Sequence, residues 1–268
     1  MFAKFADAYL MEHEGEGARI RDKTDLAAVR SQLSLAGLRP GMHCLDAGCA
    51  SGAVTAEMAQ IASPARVVGL DFSQPRLKEA EELARLTGTG NVEFRHGGIF
   101  DMPFEDGTFD FVWSRFVLEY LKDPTAAIRE MKRVTKVGGL VVNADLDGNC
   151  LFHYPIDSEL EKGLLKVTQL LSHAGFDSWV GRKLYHYYRE VGFSDIKVAV
   201  MPYHVIAGEP TERERRNWHE KIETIRNKLT NVFPDRRQLD RLADGFRSLI
   251  DSPDTFTYSS LIIVIGTK

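Results

Sequence analysis

Residues 42–52 read Met42-His43-Cys44-Leu45-Asp46-Ala47-Gly48-Cys49-Ala50-Ser51-Gly52, and residues 67–73 read Val67-Val68-Gly69-Leu70-Asp71-Phe72-Ser73. The first stretch is a short apolar run that ends in an aspartate and a glycine-spaced turn. The small and straight-chain residues that follow, Ala53 to Ala59, favour a helix. This is strand, tight turn, helix. Gly48 and Gly52 permit positive φ and a close approach of backbone to ligand, and the free amides of the helix start face the turn. The second stretch ends in Asp71, 19 residues after Gly52. A carboxylate at that distance, on the tip of the neighbouring strand, accepts hydrogen bonds from the two ribose hydroxyls of a nucleoside cofactor. A glycine turn alone can also be a plain structural turn with no ligand; the pairing with Asp71 favours the cofactor reading.

Outward from this centre, strand and helix signals alternate. Upstream, Thr24 or Asp25 caps a helix running to Ala36, Gly37 stops it, and Pro40-Gly41 turns the chain into the first strand. Downstream, Ser73 and Pro75 start a helix that ends at Gly88. Strands are expected over 91–95, 109–113 and 140–144, with Asp123-Pro124 opening a helix through Val134 between the last two. Further helices are expected over 157–174 and 181–191, and a sixth strand over 196–200. Within 211–250, Trp218, Ile222, Ile225 and Leu229 share one helical face, and Leu239, Leu242, Phe246 and Leu249 share another, with Pro234 between them. Residues 257–266 form a last, β-branched strand. Such alternation implies a parallel sheet covered on both faces. Ligands of these sheets sit beyond the carboxyl ends of the strands, which puts Asp46, Asp71, Ser114, Arg115 and Asp145 on one rim.

At 268 residues the chain is long enough for one large α/β domain. A net charge of −4 argues against a general nucleic-acid binder, which needs a basic face. Cys44, Cys49 and Cys150 have no paired metal-ligand spacing, so they read as reduced thiols of a cytoplasmic protein. No apolar run approaches the length of a membrane span, and Glu12, Glu14 and Glu16 interrupt any targeting pattern at the start. Residues 2–13 carry Phe2, Phe5, Tyr9 and Leu10 near helical spacing, an amphipathic helix outside the core.

Residues 45–52 resemble the first motif of the class I S-adenosylmethionine-dependent methyltransferases, an acidic residue followed by glycines at alternate positions. Ala50 stands where that family usually carries its middle glycine, and its methyl group fits a residue of negative φ. Residues 69–73, continuing to Leu77 and Ala80, are similar to the second motif. Residues 91–99, Met102-Pro103-Phe104 and residues 109–113 are similar to the third and fourth, and residues 133–139 to the turn before the fifth strand. The resemblance covers roughly residues 40–145. It implies a Rossmann-like, seven-stranded, mostly parallel sheet with helices on both faces, the last strand lying antiparallel between the fifth and sixth. It implies S-adenosyl-L-methionine as cofactor, with Asp46, Gly48, Ala50 and Gly52 forming the turn and Asp71 on the ribose. The adenine is then clamped between Phe72 and the Gly98-Ile99 segment, with the methionine part beside Gly48, Ser114 and Arg115. Many members carry an aspartate where Gly98 stands, so the adenine amino contact passes to another group such as Asp101.

The sequence reads as a single domain over 1–268: an N-terminal helical cover (1–36), a cofactor core (38–148), and helical insertions at 149–180 and 208–252 that serve as lid, acceptor site or dimer contact. Methyl transfer is an in-line displacement that mainly needs alignment and exclusion of water. A weakly acidic acceptor also needs a base. Asp145, Asp147 and His153, after the fifth strand, are the candidates, with His153 and Asp145 preferred; no third ligand for a metal accompanies the two aspartates. His186 and His204 are further candidates. A small-molecule acceptor is the favoured reading. A nucleic-acid or protein methyltransferase is the alternative, but Ser114-Arg115-Phe116-Val117 lacks the Asn/Asp-Pro-Pro-aromatic segment of amino-group nucleic-acid enzymes. A non-catalytic cofactor-binding protein, dimerising through residues 211–250, and a dehydrogenase complete the set.

Overall fold

The computed structural model describes residues 19–20 and 24–268. The expected helix over residues 2–13 lies outside the described residues. In chain order the elements are α1 (Leu26–Leu35), β1 (Cys44–Ala47), α2 (Ala53–Ala62), β2 (Val67–Asp71), α3 (Gln74–Thr87), β3 (Val92–His96), β4 (Phe109–Arg115) and α4 (Pro124–Val134). They continue as β5 (Thr135–Tyr154), α5 (Ser158–His173), α6 (Val180–Val191), β6 (Asp195–Ala207), α7 (Glu212–Leu229), α8 (Arg236–Asp251) and β7 (Phe256–Thr267). The seven strands lie in the order β3-β2-β1-β4-β5-β7-β6, with β7 between β5 and β6 as expected. The pairs β1–β2, β2–β3, β1–β4 and β4–β5 are parallel.

The chain forms two compact units. The first comprises Thr24–Asp145, Val180–Val200 and Ile262–Lys268; of the described residues, Leu146–Trp179 and Met201–Leu261 make the body of the second.

In the first unit the ends of the helices follow from local chemistry. Asp25 accepts the Ala27 and Ala28 amides at 3.0 and 3.1 Å to start α1, and Asp123 accepts that of Ala126 at 2.9 Å, ahead of Pro124, to start α4. All residues of β1 and β2 are buried, the mark of strands covered on both faces. Leu45, Leu70, Val112 and Val141 pack with Ile128, Met131 and Leu184 in one apolar cluster. Tyr188 of α6 is fully buried there, and its hydroxyl donates to Asn143 Oδ1 at 2.7 Å, which satisfies both polar groups. The register sets Asp46 beside Gly69 and Trp113, and Arg115 beside Ala144, so the ends of β1, β2, β4 and the Asp145 region share one rim.

The fifth strand is longer than its pattern suggests. Residues 140–144 were the expected strand, and Asp145-Leu146-Asp147-Gly148-Asn149 has the composition of a turn; yet β5 continues to Tyr154. Gly148 takes up the irregularity with φ +69, and its amide donates to Ser178 O at 3.0 Å. Asp147 and His153 therefore stand on the strand itself rather than after it.

In the second unit α7 and α8 occupy the expected positions either side of Pro234. Thr211 and Glu214 form a reciprocal capping box at the start of α7. Trp218, Ile222, Phe246 and Ile250 pack with Leu164 and Ile206 in a second apolar cluster. Among the described residues, no helix is long and apolar enough to cross a membrane.

Candidate cofactor site

The turn after β1 is built on two left-handed glycines. Gly48 and Gly52 have φ of +85 and +79. A Cβ on Gly48 would lie 2.5 Å from Val117 Cγ2, and one on Gly52 would lie 2.8 Å from Ala80 Cβ. Both positions are closed to side chains by backbone and by space. The Gly48 and Cys49 amides donate to Leu70 O at 2.8 and 3.0 Å, which ties the turn to β2.

Ala50 corrects the expectation of negative φ. It sits at φ +45, in the left-handed region where a Cβ is strained. Its amide donates to Asp71 Oδ2 at 2.8 Å, while the Ser73 amide donates to Asp71 Oδ1, also at 2.8 Å. The carboxylate thus clamps the strained turn and the start of α3 together. A second left-handed side chain, Phe116 at φ +59, follows β4, with the Arg115 guanidinium 4.0 Å from its ring centroid.

Buried acids set the electrostatics. Asp46 accepts a hydrogen bond from Thr55 Oγ1 at 2.7 Å. Burial, opposed by that bond and assisted by the charge of Asp71, raises its pKa from the ordinary 3.8 to about 7. Thr55 escaped the sequence reading; its signal is its place in the first turn of the helix that follows the aspartate. Asp145 is fully buried and accepts the Leu118 amide at 3.2 Å. Burial and the neighbouring Glu119 charge raise its pKa well above the carboxylate range. It anchors the turn after β4. The thiols of Cys44 and Cys49 are buried and free, and burial raises both, Cys44 to about 12.

The remaining residues surround this turn unevenly. Phe72 is 61% exposed at the tip of β2, unusual for an aromatic beside a core strand. Gly98 is bridged to Asp101 through the backbone, and Ile99 packs on the apolar cluster. Ser114 is fully buried, with a hydroxyl that makes no hydrogen bond among the described residues. Asp46, Gly48, Ala50, Gly52 and Asp71 converge on one turn, flanked by Phe72. His153 belongs to the second unit, where its Nδ1 lies 2.9 Å from Thr257 Oγ1 and its ring stands edge-on to Phe246. Among the described residues no group of three side chains could hold a metal ion.

Residues 45–143 match a methyltransferase-domain family. An uncharacterized methyltransferase of Schizosaccharomyces pombe is 37% identical over 148 residues, 52% of this chain and 52% of the relative. The demethylmenaquinone methyltransferase of Staphylococcus aureus strain JH9 is 30% identical over 175 residues, 60% of this chain and 72% of the relative. In fold, the chain is similar to phosphoethanolamine N-methyltransferase 2 of Haemonchus contortus in complex with S-adenosyl-L-methionine, with TM-score 0.63, 20% identity, and coverage of 100% of this chain and 60% of that one. The match thus spans about half of the yeast relative and more of the bacterial one. The chain belongs to the class I S-adenosylmethionine-dependent methyltransferases, and S-adenosylmethionine is its cofactor. The residues present fit that molecule. Phe72 offers an uncovered aromatic face, Ser114 an unsatisfied hydroxyl, and Asp46 a buried carboxyl whose ionised form a nearby cation favours.

Two outcomes are expected. Ala50→Gly removes left-handed strain of about 1–2 kcal/mol and gives back part of it as unfolded-chain entropy. The variant should be more stable by roughly 0.5–1 kcal/mol in denaturant titration; equal or lower stability removes the strain assignment. Between about pH 4 and pH 7 native Asp46 keeps a proton that the unfolded chain releases, so its contribution to stability falls as pH rises. Asp46→Asn should therefore flatten the decline of the melting temperature across that window, leaving the slope due to Asp145. A profile parallel to the parent's would show that Asp46 is ionised throughout.

Proposed function

We propose that the protein transfers the methyl group of S-adenosylmethionine to a small-molecule acceptor. The observation that carries this reading is a pocket in the second unit, framed by α5, α7 and α8 and lined mainly by apolar side chains. An apolar lining with a few convergent polar groups is the usual make-up of a small-molecule site. Demethylmenaquinone, for which the Staphylococcus aureus relative is named, is itself a small molecule. When bound, the cofactor would supply a methyl group activated by a sulfonium sulfur. Asp71 holds the ribose, Phe72 and the Gly98-Ile99 segment hold the adenine, and Asp46, Gly48, Ala50, Gly52, Ser114 and Arg115 shape the methionine end. The chain's task is to align donor and acceptor and to exclude water.

For an acceptor whose O–H or N–H must be deprotonated, His153 takes the proton. A histidine titrates near neutral pH without a large shift, and Phe246, which it touches, is also a wall of the cavity. Asp145 is too deeply buried for that role and acts instead as the anchor of the Leu118 turn.

Protein incubated with methyl-labelled S-adenosylmethionine and mixed cell extract should put label into the small-molecule fraction; label in acid-precipitable protein or nucleic acid would sink the reading. Asp71→Ala should weaken cofactor binding at least ~10-fold in calorimetric titration, the size of a lost charge-assisted bond of about 1.5–3 kcal/mol. Unchanged affinity in the folded variant would place the ribose elsewhere. With an acceptor in hand, His153→Ala should lower turnover by roughly 10²-fold at unchanged cofactor affinity. Full turnover in that variant would leave alignment alone to carry the reaction.

A further inference from the structure

We infer that the cavity of the second unit is a binding site for a largely apolar molecule bearing one anionic group, with Lys221 as its counter-charge. The walls are apolar and partly aromatic: Leu164, Leu171, Trp218, Ile222 and Phe246. Such a lining selects a hydrophobic body. The polar residues that line it are Asn149, Thr168, Ser178, Lys221 and Arg226. Lys221 is 9% exposed, its Nζ donates to Asn149 Oδ1 at 3.1 Å, and the same atom lies 5.0 Å from the Trp218 ring centroid. No described carboxylate comes within ion-pair distance of it. Arg226, which also lines the cavity, is by contrast matched by Asp240 at 2.8 Å and by Glu223. Ser178 presents a buried hydroxyl with no hydrogen-bond partner among the described residues.

A buried cation held, among the described residues, by an amide oxygen and an aromatic face is poorly compensated for the water it has lost. An ammonium has three N–H donors, of which the amide oxygen uses one. An anionic oxygen can accept from the ammonium and from the Ser178 hydroxyl, and so answers both groups at once. A cationic ligand meets repulsion, and a neutral one leaves the charge unanswered. Binding at this cavity stands independently of methyl transfer: it holds whether the occupant is the methyl acceptor or a separate effector.

Three naphthalene probes of equal body test it on the whole protein by calorimetry: 2-naphthoate, 2-naphthalenemethanol and 2-naphthylmethylammonium. The parent should bind the carboxylate at least ~10-fold more tightly than the alcohol, equivalent to the 1.4 kcal/mol per decade of affinity, and the ammonium most weakly. Lys221→Met keeps the packed stem and removes the charge, and should bring carboxylate and alcohol to equal affinity. Ala243→Phe, which fills the cavity, should abolish binding of both. No binding by the parent, no charge preference, or a preference that persists in a folded Lys221→Met protein would each overturn the assignment. Should that variant fail to fold, the order of the three probes on the parent decides. These readouts involve no cofactor, so they can fail while methyl transfer is upheld, and the reverse.

Discussion

The carboxylate of Asp71 is the interaction on which the cofactor turn depends. One oxygen takes the amide of Ala50 and the other that of Ser73. The first bond fixes a non-glycine residue in the left-handed region; the second fixes the entry to α3. Without it the turn would have to hold φ +45 at Ala50 against a penalty of about 1–2 kcal/mol. The glycines on either side remove alternatives, because a side chain at Gly48 would meet Val117, and one at Gly52 would meet Ala80 and Phe94. Charge-assisted bonds of this kind are stronger than neutral ones, which explains how one carboxylate can maintain a strained backbone. A variant at Asp71 therefore disturbs both ends of the turn at once.

Much of this was legible in the sequence because it depends on short-range chemistry. Asp71 at the end of an apolar run, Gly48 and Gly52 around a turn, Asp123 ahead of Pro124, and the two helical faces divided by Pro234 all announce themselves through spacing. Three features did not. The conformation of Ala50 is imposed by the Asp71 hydrogen bond, 21 residues away, so local preference for negative φ was overruled by a tertiary contact. The continuation of β5 past Asp145 was hidden by a run rich in Asp, Gly and Asn. A left-handed Gly148 and its bond to Ser178 O allow that run to remain extended. Thr55 was invisible for a simpler reason. Its hydroxyl matters only because α2 turns it toward Asp46.

The buried acids give the cofactor site a charge logic that spacing could not reveal. Asp46, Asp71 and Asp145 are all buried. Burial penalises the ionised form of Asp46, and so does the negative charge of Asp71, while Arg115 acts in the opposite sense. The cofactor carries positive charge on its sulfonium and its amino group. A cation brought near Asp46 lowers the pKa of that carboxyl, so proton release and the arrival of positive charge there are linked. The pKa of about 7 places this exchange near neutral pH.

Lys221 is the mirror of that arrangement in the second unit. Nearby basic side chains of α7 and α8 are matched within their own helices or across them: Arg226 by Glu223 and Asp240, Arg247 by Glu223 and Asp244. Lys221 shares the same helix as Arg226 yet faces an apolar wall and an amide. Packing alone would be served as well by methionine, one atom shorter, unbranched and with no charge to desolvate. A charge retained against that cost of several kcal/mol is understandable where something else arrives to answer it. The cavity beside it is where that answer has room to bind.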